Sequence, residues 1–288
     1  MEDHVMYCGQ PEETESHEPT ELFRVLLDGW QHGAEEDDDD RDEQVSREIK
    51  TLLTSGRCAV GDLEVENGCG LTCLCVAIEM DYFKTARVLV EAGADPVRRG
   101  AAASPVCMAA DRTPVVCHVF LRWLLEHIQR TGRQHDAIAV LDGPPSVLCD
   151  ICRGEDDSNT GSSLGLLLGY GLNPNVKDRN GLAPLHYVVQ KGHVEFAQIL
   201  FDHGAGVNQV TSSRSHRTAL HIAARQGDEA MVAFLLRSGA RADALMYRDI
   251  DGEVRGSTAL QLAEENRHPQ AAKVLREWMY WSSPLLGA

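Results

Sequence analysis

The chain has 288 residues, of which 43% are hydrophobic and 25% charged, and its formal net charge is −17. That length and balance suit one or two folded, soluble domains or one elongated repeat domain. No run of about 18 apolar residues is present to span a membrane, and the acidic balance is unlike the basic footprint of a nucleic-acid binder.

The charge is concentrated at the N-terminal end: residues 1–50 hold 17 acidic and 4 basic side chains. Residues 1–18 are acidic and poor in apolar side chains, a composition that predicts disorder. They lack the basic start and apolar core of a signal peptide. The nine cysteines are therefore expected as reduced thiols, and the protein is expected in the cytoplasm or nucleus. "PTELFRVLLDGW" (19–30) has helical spacing at Leu22, Phe23, Leu26, Leu27 and Trp30. "EEDDDDRDE" (35–43) follows and reads as a solvated run. "EQVSREIKTLLTSG" (43–56) predicts a second amphipathic helix, with Val45, Ile49, Leu52 and Leu53 on one side.

From Thr72 onward the chain repeats. "TCLCVAI" at Thr72, "SPVCMAA" at Ser104, "SVLCDIC" at Ser146, "APLHYVV" at Ala183, "TALHIAA" at Thr218 and "TALQLAE" at Thr258 recur at intervals of 32 to 42 residues. Each precedes a second apolar stretch, as in "FAQILFDHGAGVN" (196–208) and "MVAFLLRSGARAD" (231–243). Recurrence of one motif at intervals of this length is the mark of a repeat architecture. Thr218 and Thr258 are predicted helix caps. Pro105 and Pro184 suit the first helical position. Gly192 and Gly227 suit the left-handed residue that stops a short first helix. Leu185, Leu220 and Leu260 fall on the buried side of first helices, and Ile199, Leu200, Leu235 and Leu236 on that of second helices. One such unit buries too little alone, so neighbours must stack. "DALMYRDIDGEVRGSTAL" (243–260) lengthens the last connector, and Asp251-Gly252 marks a hairpin turn. Trp278, Tyr280 and Trp281 end the last helix. They are expected to cover the open end of the stack, the other reading being a docking patch.

The pattern resembles the ankyrin repeat, whose T-P-L-H-x-A-A and L-L-x-x-G-A-D-x-N signatures are matched most specifically over 180–208 and 217–243. The resemblance implies an all-α ankyrin-repeat solenoid of about six helix-turn-helix units joined by β-hairpin loops. The organisation expected is an acidic, largely disordered segment with a short helix (1–42), an array with its N-terminal capping helix (43–281), and a tail (282–288). The resemblance further implies that His186 and His221 tie neighbouring units together by hydrogen bonds. Cys75, Cys107 and Cys149 occupy the same place in earlier units, where cysteine is a poor substitute. With irregular connectors such as "RTGRQHDAIAVLDGPP" (130–145), the earlier units are expected to be looser.

Cys149 and Cys152 form a Cys-x-x-Cys pair, which invites redox or zinc readings. In the repeat register they are buried thiols one helical turn apart, and no second pair with zinc-like spacing accompanies them. No Gly-rich phosphate loop, nucleophile elbow or histidine-rich metal motif occurs. The reading is a non-enzymatic protein-binding module or scaffold, without cofactor or metal, monomeric, binding neither membrane nor nucleic acid. The alternatives are a substrate-recognition adaptor in ubiquitin ligation and a thiol-redox protein using Cys149 and Cys152. A cullin-binding box has little room beyond Trp281, which counts against the first. By the resemblance, partners meet loop tips and first-helix residues on a concave face. Here these are Arg179, Asn180, Leu182, Gln190, Lys191, Arg217, Arg225 and Gln226, continuing to Tyr247, Glu265 and Asn266. From Arg179 to Gln226 they carry four positive charges and no negative one, which suits an acidic partner segment.

Overall fold

The computed structural model describes residues 21–31, 38–99, 104–111, 115–143, 146–154, 160–212, 216–250 and 253–281. The expected disordered head (1–18), the Asp251-Gly252 turn and the tail (282–288) lie outside them. The chain divides into two units, residues 1–140 and 141–288.

The first unit begins with α1 (Glu21–Gln31) and α2 (Asp38–Thr54), followed by a 3-10 turn at Val60–Glu64. Two helix pairs follow, α3 (Cys73–Glu79) with α4 (Phe83–Glu91), and α5 (Pro105–Asp111) with α6 (Val115–Arg130). The connector expected to be irregular at 130–145 contains a helix, α7 (Gln134–Leu141). Arg133 fixes its start by pairing with Asp95 at 2.6 Å. Leu22, Leu26, Ile49, Ile78, Leu89, Leu121 and Leu124 are fully buried. Each contributes about 1.5–3 kcal/mol by leaving water.

Helix α2 starts at Asp38, within the acidic run expected to be solvated. Asp42 is 5% exposed. One of its oxygens accepts the Lys84 N–H at 2.7 Å, and the other accepts the Thr85 N–H at 2.9 Å and the Thr85 hydroxyl at 2.8 Å. The N-cap residue of α4, Tyr82, makes no side-chain cap. A carboxylate from another helix therefore satisfies the orphan donors of its first turn. Lys84 Nζ pairs with Asp39 at 2.8 Å and Glu43 at 3.2 Å, so the acidic run docks α2 onto α4.

The second unit contains α8 (Val147–Arg153), α9 (Thr160–Tyr170), α10 (Pro184–Lys191), α11 (Val194–Asp202), α12 (Ala219–Gln226), α13 (Glu229–Arg237), α14 (Ala259–Glu265) and α15 (Pro269–Trp281). Helices α8, α10, α12 and α14 pack in sequence as one row, and α9, α11, α13 and α15 as another. Pro184 takes the first position of α10, and Gly192 and Gly227 end α10 and α12 with φ of 80° and 76°. Leu185, Leu200, Leu220, Leu235 and Leu236 are buried, while Ile199 and Leu260 are half-buried. Strands β1 (Met246–Ile250) and β2 (Glu253–Ser257) form the expected antiparallel hairpin, pairing Met246 with Ser257 and Ile250 with Glu253.

Two further expectations need correction. Of the C-terminal aromatics, Tyr280 and Trp281 do not cover the end of the stack, being 59% and 82% exposed, whereas Trp278 is 37% exposed. Nearby, Arg276 follows Leu275 on α15 and forms an exposed pair with Glu264 of α14 at 2.7 Å. Helix α15 then continues to Trp281 beyond the length of α13. Nor are all nine cysteines reduced, since Cys69 is disulfide-bonded.

Candidate functional site

The site residues read from sequence fall in the second unit, in two groups. The first lies on the connectors preceding α10, α12 and α14. Asp178 organises its opening turn. One of its oxygens accepts the N–H groups of Asn180 and Leu182, each at 2.9 Å. The other accepts the Asn180 amide at 3.0 Å and the Tyr187 hydroxyl at 2.6 Å. Burial alone would raise the Asp178 pKa. The bonds from Tyr187, Leu182 and Asn180 outweigh it and hold the carboxyl below its ordinary value. Arg179 projects from this turn, exposed. Leu182 is half-buried, and its carbonyl accepts the Cys149 thiol at 3.6 Å. Arg217 is half-buried, and its backbone pairs with Thr211. Tyr247, 42% exposed, meets the His216 ring edge-on with centroids 6.0 Å apart.

His186 and His221 hold these connectors. Each accepts a backbone N–H on Nδ1, from Ala183 at 3.0 Å and Thr218 at 3.2 Å. Nδ1 being the acceptor, the proton sits on Nε2, which donates to the carbonyls of Gln209 at 3.2 Å and Ala244 at 3.0 Å. Burial drives both imidazoles below the ordinary histidine pKa, so they are neutral. Thr218 does not cap α12 by accepting an N–H: its hydroxyl lies 2.7 Å from His221 Nδ1 and donates to it. Thr258 does cap, accepting the Gln261 N–H at 3.3 Å.

The cysteine units keep a weakened tie. Cys107 and Cys149 donate to the carbonyls of Val140 and Leu182 at 3.9 and 3.6 Å. Cys149 and Cys152 are buried free thiols, and burial pushes the Cys149 pKa up to about 11. A thiol held protonated is a poor nucleophile and a poor metal ligand.

The second group lies where the first helices end. Lys191 Nζ donates to the Gly154 carbonyl. Gln226 Nε2 donates to the Gln190 carbonyl at 2.6 Å, and His268 Nε2 to the Arg225 carbonyl at 3.0 Å. The carbonyls left open at the ends of α8, α10 and α12 are thus each taken by a side chain from the following repeat. Lys191 and Gln226, read as partner contacts, are used in this ladder. Gln190 and Arg225 lend only their carbonyls and keep exposed side chains. Glu265 is exposed on α14, and Asn266 closes that helix by donating to Leu262 O at 2.7 Å. Asp178, Tyr187 and His268 were missed. A turn of the form Asp-x-x-Gly ahead of a repeat could have drawn attention to Asp178, but nothing in sequence marks the other two.

A third ladder supports the connectors. Asn175 donates to Gly204 O at 3.1 Å and accepts the Gly206 N–H at 2.8 Å. Asn208 donates to Gly239 O at 3.1 Å and accepts the Arg241 N–H at 2.9 Å. Among the described residues no group of histidine, cysteine and carboxylate side chains could hold a metal ion, and no helix is long and apolar enough to cross a membrane.

Residues 152–246 match the family model described as ankyrin repeats in three copies. The chain is similar to a transient receptor potential cation channel subfamily A member 1 homolog of Caenorhabditis elegans, 37% identical over 101 residues, which are 35% of this chain and 8% of that protein. It is similar to inversin of Mus musculus, 30% identical over 140 residues, 49% of this chain and 12% of that one. Inversin of Gallus gallus is 34% identical over 116 residues, 40% and 10% of the two chains. The matched stretch is thus about a tenth of the length of these relatives. Among solved structures, the crystal structure of the ankyrin repeat domain of Bcl-3 superposes with a TM-score of 0.63 at 22% identity, covering 91% of this chain and 100% of that one. At that identity the likeness shows the fold.

Proposed function

The chain contains ankyrin repeats, and from that premise we propose that it is a non-enzymatic protein-binding module whose connectors and first-helix ends take an acidic segment of a partner. We read the array as six units and place the protein in the cytoplasm or nucleus. The observation that carries the proposal is the state of Arg179 and Arg225. Both are exposed, and among the described residues neither is ion-paired. The backbone that presents each one is fastened, by the Asp178 turn and by the His268 tie. A fixed, unpaired guanidinium loses little freedom when it takes a carboxylate in a bidentate pair. In a chain of net charge −17, such cations also steer an acidic partner to one place on the surface.

The test is affinity capture with the full chain and with Arg179→Glu/Arg225→Glu, followed by purified binding at two salt concentrations. The expected result is a partner lost by the variant, whose affinity for wild type falls as salt rises. An unchanged partner set, or affinity indifferent to salt, would remove the acidic-segment reading. The thiol-redox alternative is opposed by the burial and raised pKa of Cys149.

A further inference from the structure

The first unit carries a second surface on its second helices. Phe83 of α4 stacks on Phe120 of α6 at 5.1 Å, Phe120 on Trp123 at 5.8 Å, and Trp123 meets His127 at 5.5 Å. The Arg87 guanidinium of α4 lies over the Trp123 ring, 4.7 Å from its centroid. Val119, one turn before Trp123 on α6, is 63% exposed. Arg122, beside Trp123, is exposed as well, and so is Arg87.

Neighbouring cations are spoken for. Lys84 pairs with Asp39 and Glu43, Arg130 with Glu126, and Arg133 with Asp95. Arg87 and Arg122 make no ion pair among the described residues. Glu91 stands one turn from Arg87 on α4 without pairing with it. Stacking on indole fixes the guanidinium plane while leaving its N–H edge free, and that edge is the part that takes a carboxylate. The ridge therefore presents an apolar side chain, an aromatic ring and one unpaired guanidinium from α6, with a second guanidinium laid over the ring from α4.

We propose that this ridge, Val119, Arg122 and Trp123 with Arg87 stacked on it, docks an acidic helical segment of a partner protein. The segment carries a leucine and a glutamate one turn apart. The leucine meets Val119 and the ring edge, and the glutamate takes Arg87. Charge complementarity selects the occupant, since two unpaired cations stand on the surface of a chain with net charge −17. The helical form follows from the one-turn spacing of Val119 and Trp123 on α6, which a second helix matches with anchors at the same spacing. This surface shares no residue with the connectors and does not rest on the role given to Arg179 and Arg225.

The experiment uses the full chain labelled with nitrogen-15. It follows the Trp123 indole N–H resonance, assigned by its loss in Trp123→Phe. The probe is a 15-residue helical peptide of alanine, leucine and glutamate with leucine four residues before glutamate. Its control has glutamine for every glutamate. We expect a saturable shift of the resonance, with affinity reduced at least about tenfold for the glutamine peptide and for Arg87→Gln/Arg122→Gln. Arg87→Lys keeps the charge but loses the planar stack and should weaken binding several-fold. Both arginines are exposed, so these variants leave the core intact, which circular dichroism checks. Equal affinity for the glutamine peptide, or undiminished binding by Arg87→Gln/Arg122→Gln, would overturn the proposal. So would loss of binding in Arg179→Gln/Arg225→Gln alone, which places the peptide on the connectors. A resonance that moves without peptide when Glu12, Glu13 and Glu15 become glutamine would assign the ridge to this chain's own acidic segment and exclude the partner.

Discussion

The ties made by His186 and His221 depend on a particular protonation state, and that gives the fold a pH dependence. His186 and His221 are buried and neutral, with pKa values lowered by burial. In the unfolded chain the same rings titrate near about 6.5. Below that pH the unfolded state holds more protons than the folded one, so stability falls as pH drops below the unfolded pKa. Unfolding midpoints in urea should decrease from pH 7.5 to 5.5, and the decrease should shrink in His186→Gln and His221→Gln. A midpoint independent of pH in wild type would show that the two rings are not neutral donors. Asp178 behaves in the same sense at lower pH. Its folded pKa is depressed, so its contribution is present above the carboxylate value of about 3.9 and is lost as pH falls through the folded value. Tyr187→Phe removes the 2.6 Å bond to this carboxylate. A loss of about 1 kcal/mol is expected, since the pair is only partly buried.

Two elements show how local substitutions are read by their neighbours. Gly227 ends α12 at φ 76°, and a Cβ there would lie 2.4 Å from His268 Nδ1. Gly204 has a similar φ of 88° but meets nothing within 4 Å. Both glycine-to-alanine changes strain a left-handed residue, at about 1 kcal/mol. Only Gly227→Ala also displaces His268 from the Arg225 carbonyl, so it should cost clearly more than Gly204→Ala in denaturant unfolding. Equal losses would mean that His268 moves aside freely. At the other end of the chain, Asp42 caps α4 from α2. Asp42→Ala should cost about 1–2 kcal/mol, the range of a lost N-cap. Asp39→Ala, which touches only the exposed Lys84 pair, should cost less than about 1 kcal/mol.

Across the molecule, stability should follow the strength of the ties. Sulfur donors at 3.9 and 3.6 Å stand where imidazoles at 3.2 and 3.0 Å hold later repeats. Repeat stability sums unit and neighbour contributions, and the weakest tied units open first. Amide exchange should be faster in α5 and α8 than in α10 and α12, and faster exchange in the latter two would show that the weaker ties are replaced by other contacts. Cys149→His should narrow the difference for α8 only if the ring finds both a backbone donor and the Leu182 carbonyl.

How much of this was legible in sequence differs by feature. The repeat period, the prolines and glycines at helix ends, the hairpin and the burial of Cys149 and Cys152 were all readable, because they depend on a residue and its near neighbours. His186 and His221 as ties came through the family resemblance. The acidic run misled, because charge runs are usually solvated and nothing local reveals that Asp42 meets the first turn of α4 more than 40 residues later. The C-terminal aromatics misled for a similar reason: whether Trp281 is covered depends on how far α15 outruns α13. Lys191 and Gln226 read as free contacts because their carbonyl partners lie 37 and 36 residues earlier. The sequence by itself determined the kind of unit, its repetition and its apolar faces, since helix period, capping and turn preference act over a few residues. Only the tertiary structure decided which polar side chains are consumed as ties and which remain exposed. That division rests on distances between groups far apart in the chain, and hydrogen bonds and ion pairs form or fail within an ångström.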